Sequence, residues 1–264
     1  MDPESIRKIF SYLFHQRSDN SVVPIVKNEF DFIEILDISS KSEFIINRNI
    51  SWKFEDHLNG SLISVSNEDG SCREDYIVVQ SKIESFRKVV QFYLNLPETK
   101  IEDLIILNHP YGLEGCVPLR IRNLRWKLEI NSSRYDYTTW FNCLRTHPIE
   151  RVEIELNGED YMVLSEDVIC SATKLHLKTK SLLPIQAILK FQASELKLNQ
   201  SLSSDDLFLL FDTWIQRETT GKIILKCSNA DLNSIENQLK EEFKNTNFKV
   251  SDLETNEFSI EISE

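Results

Sequence analysis

The side chains of this 264-residue chain that could do chemistry are five cysteines, five histidines and several adjacent acid pairs. Cys72, Cys116, Cys143, Cys170 and Cys227 are odd in number and far apart, which fits reduced thiols and implies no disulfide framework. His15, His57, His109, His147 and His176 do not stand beside them, and no pair has the spacing of zinc ligands, so no metal is expected. His109 precedes Pro110 and His147 precedes Pro148, neither near a serine or cysteine in a nucleophile context, so no catalytic dyad is indicated. Glu159-Asp160, Glu166-Asp167 and Asp205-Asp206 read as loop or helix-start acids; glycoside hydrolysis would need two carboxylates facing across a cleft, which adjacency does not provide. With 6 glycines and neither a Walker pattern nor a dinucleotide fingerprint, the chain offers no phosphate cradle, and no cofactor is expected.

The charge balance narrows the partners. Thirty basic residues scattered among 42 acidic ones give a net charge of -12, and phosphate recognition needs clustered Lys and Arg, so a nucleic-acid partner is not expected. No apolar run approaches the roughly 20 residues that span a bilayer, so no membrane is expected either. The start, "MDPESIRKIFSYLFHQRSDN", places acids before its apolar positions and an Arg-Lys pair inside them, unlike a secretory signal. A cytoplasmic or nuclear location is the expectation. Hydrophobic residues make up 41% of the chain, enough for one large core or two modest ones.

The elements follow from periodicity. Ile6, Ile9, Phe10 and Leu13 recur at helical spacing after Pro3 and predict an amphipathic helix within residues 1–20. Residues 21–80 contain "FDFIEILDI", "SEFIINRNISWKFED" and "GSLISVSNEDGS", β-rich runs broken by the turn signals "HLNG" and "NEDGS", which predict a small meander. From 81 to 264 helix alternates with strand. "IESFRKVVQFYL" carries Phe86, Val89, Val90 and Tyr93 on one stripe, and the strands "IEDLIIL", "LRWKLEI", "ERVEIEL", "TKLHLKT", "SELKLNQ" and "GKIILKC" follow. Their reference positions Ile106, Leu128, Ile154, Leu177, Leu198 and Leu225 recur at steps of roughly 21 to 27 residues, within the period of leucine-rich repeats. Between them, "YDYTTWFNCLRTHP" and "LSSDDLFLLFDTWIQRE" carry helical stripes, the second with Ser203 as cap and Gly221 as its C-terminal stop. "ADLNSIENQLKEEFKNT" and "EFSIEI" repeat the theme and cap the array. The expected fold is therefore α/β: an irregular leucine-rich-repeat-like array of strand-helix units with a parallel sheet, preceded by the β-rich meander and continuous with it.

The stretch "ASELKLNQSLSSDDLFLLFDTWIQRETTGKIIL" resembles the nematode F-box-associated proteins, those with a type 2 F-box-associated domain, with Leu198, Leu202, Asp206, Leu207, Trp214 and Ile215 at matching places. The resemblance covers roughly Trp52 to Cys227 and includes "TTWFNCLRTHPIERVEIEL". It implies a domain that recognises the substrates of a cullin-type ubiquitin ligase, with an F-box docking on the Skp adaptor. "DPESIRKIFSYLF" looks like a first F-box helix, which would make Ile6, Ile9, Phe10 and Leu13 an adaptor-docking surface. Packing of that stripe on the meander is the alternative. "SVVPIVKNEFDFIEILDISS" reads as strand where the family continues as helix, so the F-box is truncated or absent.

On the strands, alternate residues point away from the core. Lys127, Glu129, Glu153, Glu155, His176, Lys178, Glu195 and Lys197 therefore form the candidate partner-binding face, the alternative being a solvated face of cross-strand pairs. Trp140 and Trp214 lie on helical stripes and serve either the core or an interface. The function read from this is a non-enzymatic protein-binding module, either substrate-recognising or an F-box-less binder that sequesters or inhibits its target. The other reading is an α/β enzyme with its site at the carboxyl ends of the strands, in loops such as "NHPYGLEGCVP" and "NGEDYMVLSED".

Overall fold

In the computed structural model, the residues described are 3–14, 28–38, 41–67, 69–70, 73–109, 112–114, 116–128, 141–144, 148–157, 163–164, 166–218, 220–226, 232–253 and 257–263. The fold is mixed α/β, with parallel and antiparallel strand pairs and few helices. It divides into two compact units, Met1–Lys127 with Arg134–His147, and Leu128–Ser133 with Pro148–Glu264. The division falls inside the segment 81–264 rather than at its start. The reason is a non-local pairing: β1 (Glu29–Ile38) lies parallel to β6 (Lys100–Leu107), which joins the expected meander segment to the strands after it.

In the first unit, β2 (Lys41–Ile46), β3 (Ile50–His57), β4 (Gly60–Asn67) and β5 (Arg73–Val78) follow β1 as successive antiparallel neighbours, while β7 (Arg120–Leu128) extends the parallel side beyond β6. The run read as one segment, "SEFIINRNISWKFED", is two strands joined by a turn at Asn47 to Asn49. Asn47 and Arg48 take φ of 51° and 56°, the left-handed region that the short polar side chain of Asn tolerates. Leu58 and Asn59 make the expected turn between β3 and β4, and Gly60 opens β4 at φ 140°, where a Cβ would meet the Val78 carbonyl oxygen at 2.0 Å.

The helix α2 (Lys82–Leu94) covers one face of this sheet. Ser81 caps it through the amide of Glu84, whose carboxylate accepts from the Ser81 amide in return, a complete capping box. Its stripe Phe86, Val89, Val90 and Tyr93 is fully buried against Phe44, Trp52 and Phe54, with ring centroids 5.3 Å apart for Phe54 and Phe86 and 5.7 Å for Phe44 and Tyr93. The opening helix α1 (Pro3–Phe14) packs on α2 and sets Phe10 against Tyr76 with centroids 3.7 Å apart. Ile6, Ile9 and Phe10 are buried and Leu13 is half-buried, so the stripe offered as an adaptor-docking surface faces this unit's own core. Each such burial stabilises by about 1.5–3 kcal/mol.

In the second unit, β8 (Arg151–Leu156), β9 (Lys174–Thr179), β10 (Glu195–Leu198) and β11 (Gly221–Lys226) are consecutive parallel neighbours. Ile154, Leu177, Leu198 and Leu225 stand directly opposite one another in register, all buried. In the first unit the register differs: Ile106 pairs with Trp126, two residues before the reference position Leu128. The connections in the second unit hold short helices, α3 (Asp167–Cys170) and α4 (Ile185–Ile188), and then a longer one, α5 (Ser204–Gln216). Ser203 caps α5 as expected, accepting from the Asp206 amide at 3.1 Å and donating to its carboxylate at 2.8 Å. Gly221 does not stop that helix, whose C-cap is Arg217; it opens β11, where a Cβ would lie 1.9 Å from the Ser194 carbonyl oxygen.

The end of the chain departs from the expected pattern. The helix α6 (Leu232–Glu242) leads to β12 (Asn247–Leu253), which turns back into β13 (Glu257–Ser263), and β13 pairs antiparallel with β11 on one side and β12 on the other. Two closely joined strands can only return antiparallel, so the last segment is a hairpin rather than a further parallel unit. Most of "YDYTTWFNCLRTHP", with Trp140 and His147, lies outside the described residues; within it Phe141, Cys143 and Leu144 are buried. Cys72 and Cys227 also lie outside them.

Candidate functional sites on the two sheet faces

Strand periodicity builds the first candidate. Val152, Ile154, Leu175, Leu177, Leu196 and Leu198 are buried, so the alternating residues of β8 to β10 share the opposite face. Register places Arg151, Lys174 and Glu195 in one row and Glu153, His176 and Lys197 in the next, with Glu155 opposite Lys178. His176 occupies the centre: its Nε2 lies 2.7 Å from Glu195 Oε1 and its Nδ1 3.7 Å from Glu153 Oε1. Arg151 donates to Glu153, Lys178 Nζ lies 3.2 Å from Glu155, and Lys197 Nζ lies 2.7 Å from Glu257 of β13. Partial burial raises the Glu195 carboxyl pKa, but the His176 hydrogen bond and the charges of His176, Lys174 and Arg151 outweigh it and hold the group below the usual carboxylate range.

The structure thus brings Glu153, Glu155, His176, Lys178, Glu195 and Lys197 together on one face. Lys127 belongs to the first unit and pairs with Leu107 at the end of β7, and Glu129 lies outside the described residues. The residues matched to the F-box-associated pattern are structural. Leu198, Leu207 and Trp214 are buried, Leu202 and Ile215 are half-buried, and Asp206 serves the helix cap. A feature that strand periodicity does not reveal closes the strand ends. Asn199 accepts from the Thr179 amide at 2.9 Å and donates to its carbonyl at 3.1 Å, and Gln200 makes the same pair of bonds with Leu183 at 2.7 and 3.2 Å.

The second candidate lies in the first unit. On the face of β1 to β3 opposite α2, Phe32, Glu34, Glu43, Ile45, Ser51 and Lys53 line a cavity of about 530 Å³, with Ile105 of β6 and Arg48 of the turn also on its wall. That volume lies in the range of small-molecule sites, roughly 300–1,000 Å³. Glu43, nearly buried, accepts from the Ser51 hydroxyl at 2.6 Å and has Lys53 Nζ at 3.7 Å. Burial and then repulsion from Glu43 push the Glu34 carboxyl upward, and no hydrogen bond or ion pair to it is made among the described residues. Arg48 holds its guanidinium 4.7 Å from the Phe32 ring centroid, a cation–π contact. The turn is anchored by Asn47, whose side-chain oxygen accepts from the amides of Asp31 and Phe32. Sequence reasoning passed over this site. The "NRN" in a β-rich run was its one visible signal, since an Asn flanked by strands favours a left-handed turn.

The loops proposed for an enzyme are differently built. In "NHPYGLEGCVP", Asn108 and His109 are buried, and the Asn108 carbonyl accepts from the Trp126 indole at 2.9 Å. Cys116 is pushed up to about 12 by burial and by Glu114, and Cys143 to about 12 by burial and by Cys116, so both thiols stay protonated at neutral pH. Of "NGEDYMVLSED" the described residues include Val163 and Leu164, both buried. Among the described residues, no group of three or more His, Cys, Asp or Glu is arranged to hold a metal ion and no helix is long and apolar enough to cross a membrane.

Comparison with known proteins yields no match among family models, curated proteins or solved structures.

Proposed function

We propose that the protein is a non-enzymatic protein-interaction module that holds a partner against the face of β8 to β10. The observation that carries this reading is the row-by-row alignment of Arg151, Glu153, Glu155, Lys174, His176, Lys178, Glu195 and Lys197 opposite a face of buried Val, Ile and Leu side chains. The in-register set Ile154, Leu177, Leu198 and Leu225 supports an irregular repeat-like array, in which such a face is the extended binding surface. A resemblance to the F-box-associated domain makes the partner a ubiquitylation substrate if the Skp adaptor is recruited. Burial of Ile6, Ile9 and Phe10 favours the other form, a binder that sequesters or inhibits its target in the cytoplasm or nucleus, because docking through these residues would first require α1 to leave its own core. With a net charge of -12, the partner would carry a basic or mixed patch, and binding would weaken as salt rises.

The test is affinity capture with the full chain beside a variant carrying Glu155→Lys, Lys178→Glu and Lys197→Glu, followed by mass spectrometry and by titration of the purified Skp adaptor. Loss of the same partner in the variant, with circular dichroism unchanged, supports the face as the binding surface. Equal capture by both proteins removes it. Enzymatic chemistry in the strand-end loops has less support, since the Cys116 and Cys143 thiols are protonated at neutral pH and His109 is buried.

A further inference from the structure

The cavity on the face of β1 to β3 carries an inference independent of the partner-binding reading. Beside the neutral Asn49, Ile50, Ser66 and Asn67, its lining separates into three parts. Phe32, Ile45 and Ile105 are apolar. Glu43 and Lys53 form a set already satisfied, through the Ser51 hydroxyl at 2.6 Å and each other at 3.7 Å. Glu34 and Arg48 remain, opposite in charge, on the wall of one cavity, each without an ion-pair partner among the described residues.

No ion pair joins the two charges among the described residues. Glu34 stands two residues along β1 from Phe32, a strand repeat of about 7 Å. Arg48 lies over the Phe32 ring and is kept there by a turn whose Asn47 side chain is bonded to β1. That turn keeps Asn47 and Arg48 at positive φ, which costs about 1 kcal/mol or more for a residue such as Arg. Glu34 is further disfavoured as an anion by partial burial and by Glu43. An ammonium beside Glu34 offsets the repulsion from Glu43, and a carboxylate on Arg48 gains charge-assisted hydrogen bonds without breaking an ion pair among the described residues.

We propose that this cavity binds a small zwitterion, with its ammonium on Glu34, its carboxylate on Arg48 and an apolar body across Phe32, Ile45 and Ile105. The separation of the charges selects ligands whose ammonium and carboxylate are several bonds apart, such as ω-amino acids or short peptides with free ends. An α-amino acid carries both groups on one carbon and cannot reach both partners.

The experiment is calorimetric titration of the full chain with 6-aminohexanoate, hexylamine, hexanoate and leucine, repeated on Glu34→Gln and Arg48→Gln. Saturable binding of 6-aminohexanoate at least about tenfold tighter than hexylamine, hexanoate or leucine is expected, because each half-ligand lacks one charge-assisted contact. Glu34→Gln should lower its affinity to that of hexanoate, and Arg48→Gln to that of hexylamine. Thermal melts of both variants close to the native chain establish that the fold is retained. Absence of saturable binding by 6-aminohexanoate overturns the proposal, as does equal binding of hexylamine with Arg48→Gln silent, which would describe a cation site. Tighter binding of leucine overturns the charge separation on which it rests.

Discussion

On β8 to β10 the outward carboxylates already have partners: Glu155 meets Lys178 in register, Glu153 takes Arg151 two residues along its own strand, and Glu195 lies 2.7 Å from the His176 ring. On β1 to β3 Glu43 is satisfied by Ser51 and Lys53, but Glu34 and Arg48 have no ion-pair partner among the described residues. The same side-chain types thus yield two kinds of surface. Where side chains of opposite sign lie within reach, as Glu155 and Lys178 do, the charges already have partners, and a ligand must exchange one weak pair for another; such a face is broad and sensitive to salt. Where a turn carries its charge over an aromatic ring and a carboxylate is half-buried beside another acid, charges remain unanswered, and a small complementary ligand adds contacts without breaking any.

The difference can be broken at several depths. The largest effects come from the cores beneath the two faces. Trp52→Ala in the first unit and Trp214→Ala in the second each remove a fully buried indole and should cost about 3–5 kcal/mol in urea denaturation. If the cavity belongs to the first unit alone, Trp52→Ala abolishes binding of 6-aminohexanoate while Trp214→Ala leaves it. Next comes Gly221→Ala, whose Cβ would lie 1.9 Å from the Ser194 carbonyl oxygen in the β10 approach; a loss of about 1–3 kcal/mol in the same assay is expected. Ser203→Ala should cost about 1 kcal/mol, because the Asp206 amide at the start of α5 loses its acceptor.

The pH dependence separates the faces by sign. Glu195 has a lowered native pKa, so its contribution is present above the unfolded value and is lost as pH falls through the native one. Glu34 has a raised native pKa, so it lowers stability above that native value, and the penalty disappears as pH falls toward the unfolded value. Glu195→Gln should therefore reduce stability at neutral pH and flatten the acid limb, while Glu34→Gln should raise it; denaturation midpoints between mildly acidic and neutral pH distinguish the two. Matching signs would mean that the contrast between the faces is illusory. The smallest effect is Lys178→Ala, under about 1 kcal/mol and vanishing in high salt, since its side chain is largely exposed.

The helical stripes of α1, α2 and α5, the Ser203 cap and the alternation on β8 to β11 were legible in the amino-acid order, because each depends on neighbours within a few residues. So was the spacing of Ile154, Leu177, Leu198 and Leu225, since burial of one face favours a register that keeps apolar residues together. The strand β5 was missed, its exposed Arg73, Asp75 and Ile77 giving a weak apolar signal, and β12, polar along much of its length, fell between the stretches "ADLNSIENQLKEEFKNT" and "EFSIEI" and was given no element.

Tertiary structure alone decided which distant strands became neighbours. The pairing of β1 with β6 closes a loop of some seventy residues, and its gain lies in buried area and backbone bonds that no local window contains. It also decided the fate of the charges. Whether a carboxylate is answered depends on what stands across the strand, and so Glu195 acquired His176 while Glu34 acquired Glu43 and an open cavity. The sequence determined the elements and their apolar faces; long-range pairing, through proximity and desolvation, determined which polar residues were left with something to bind.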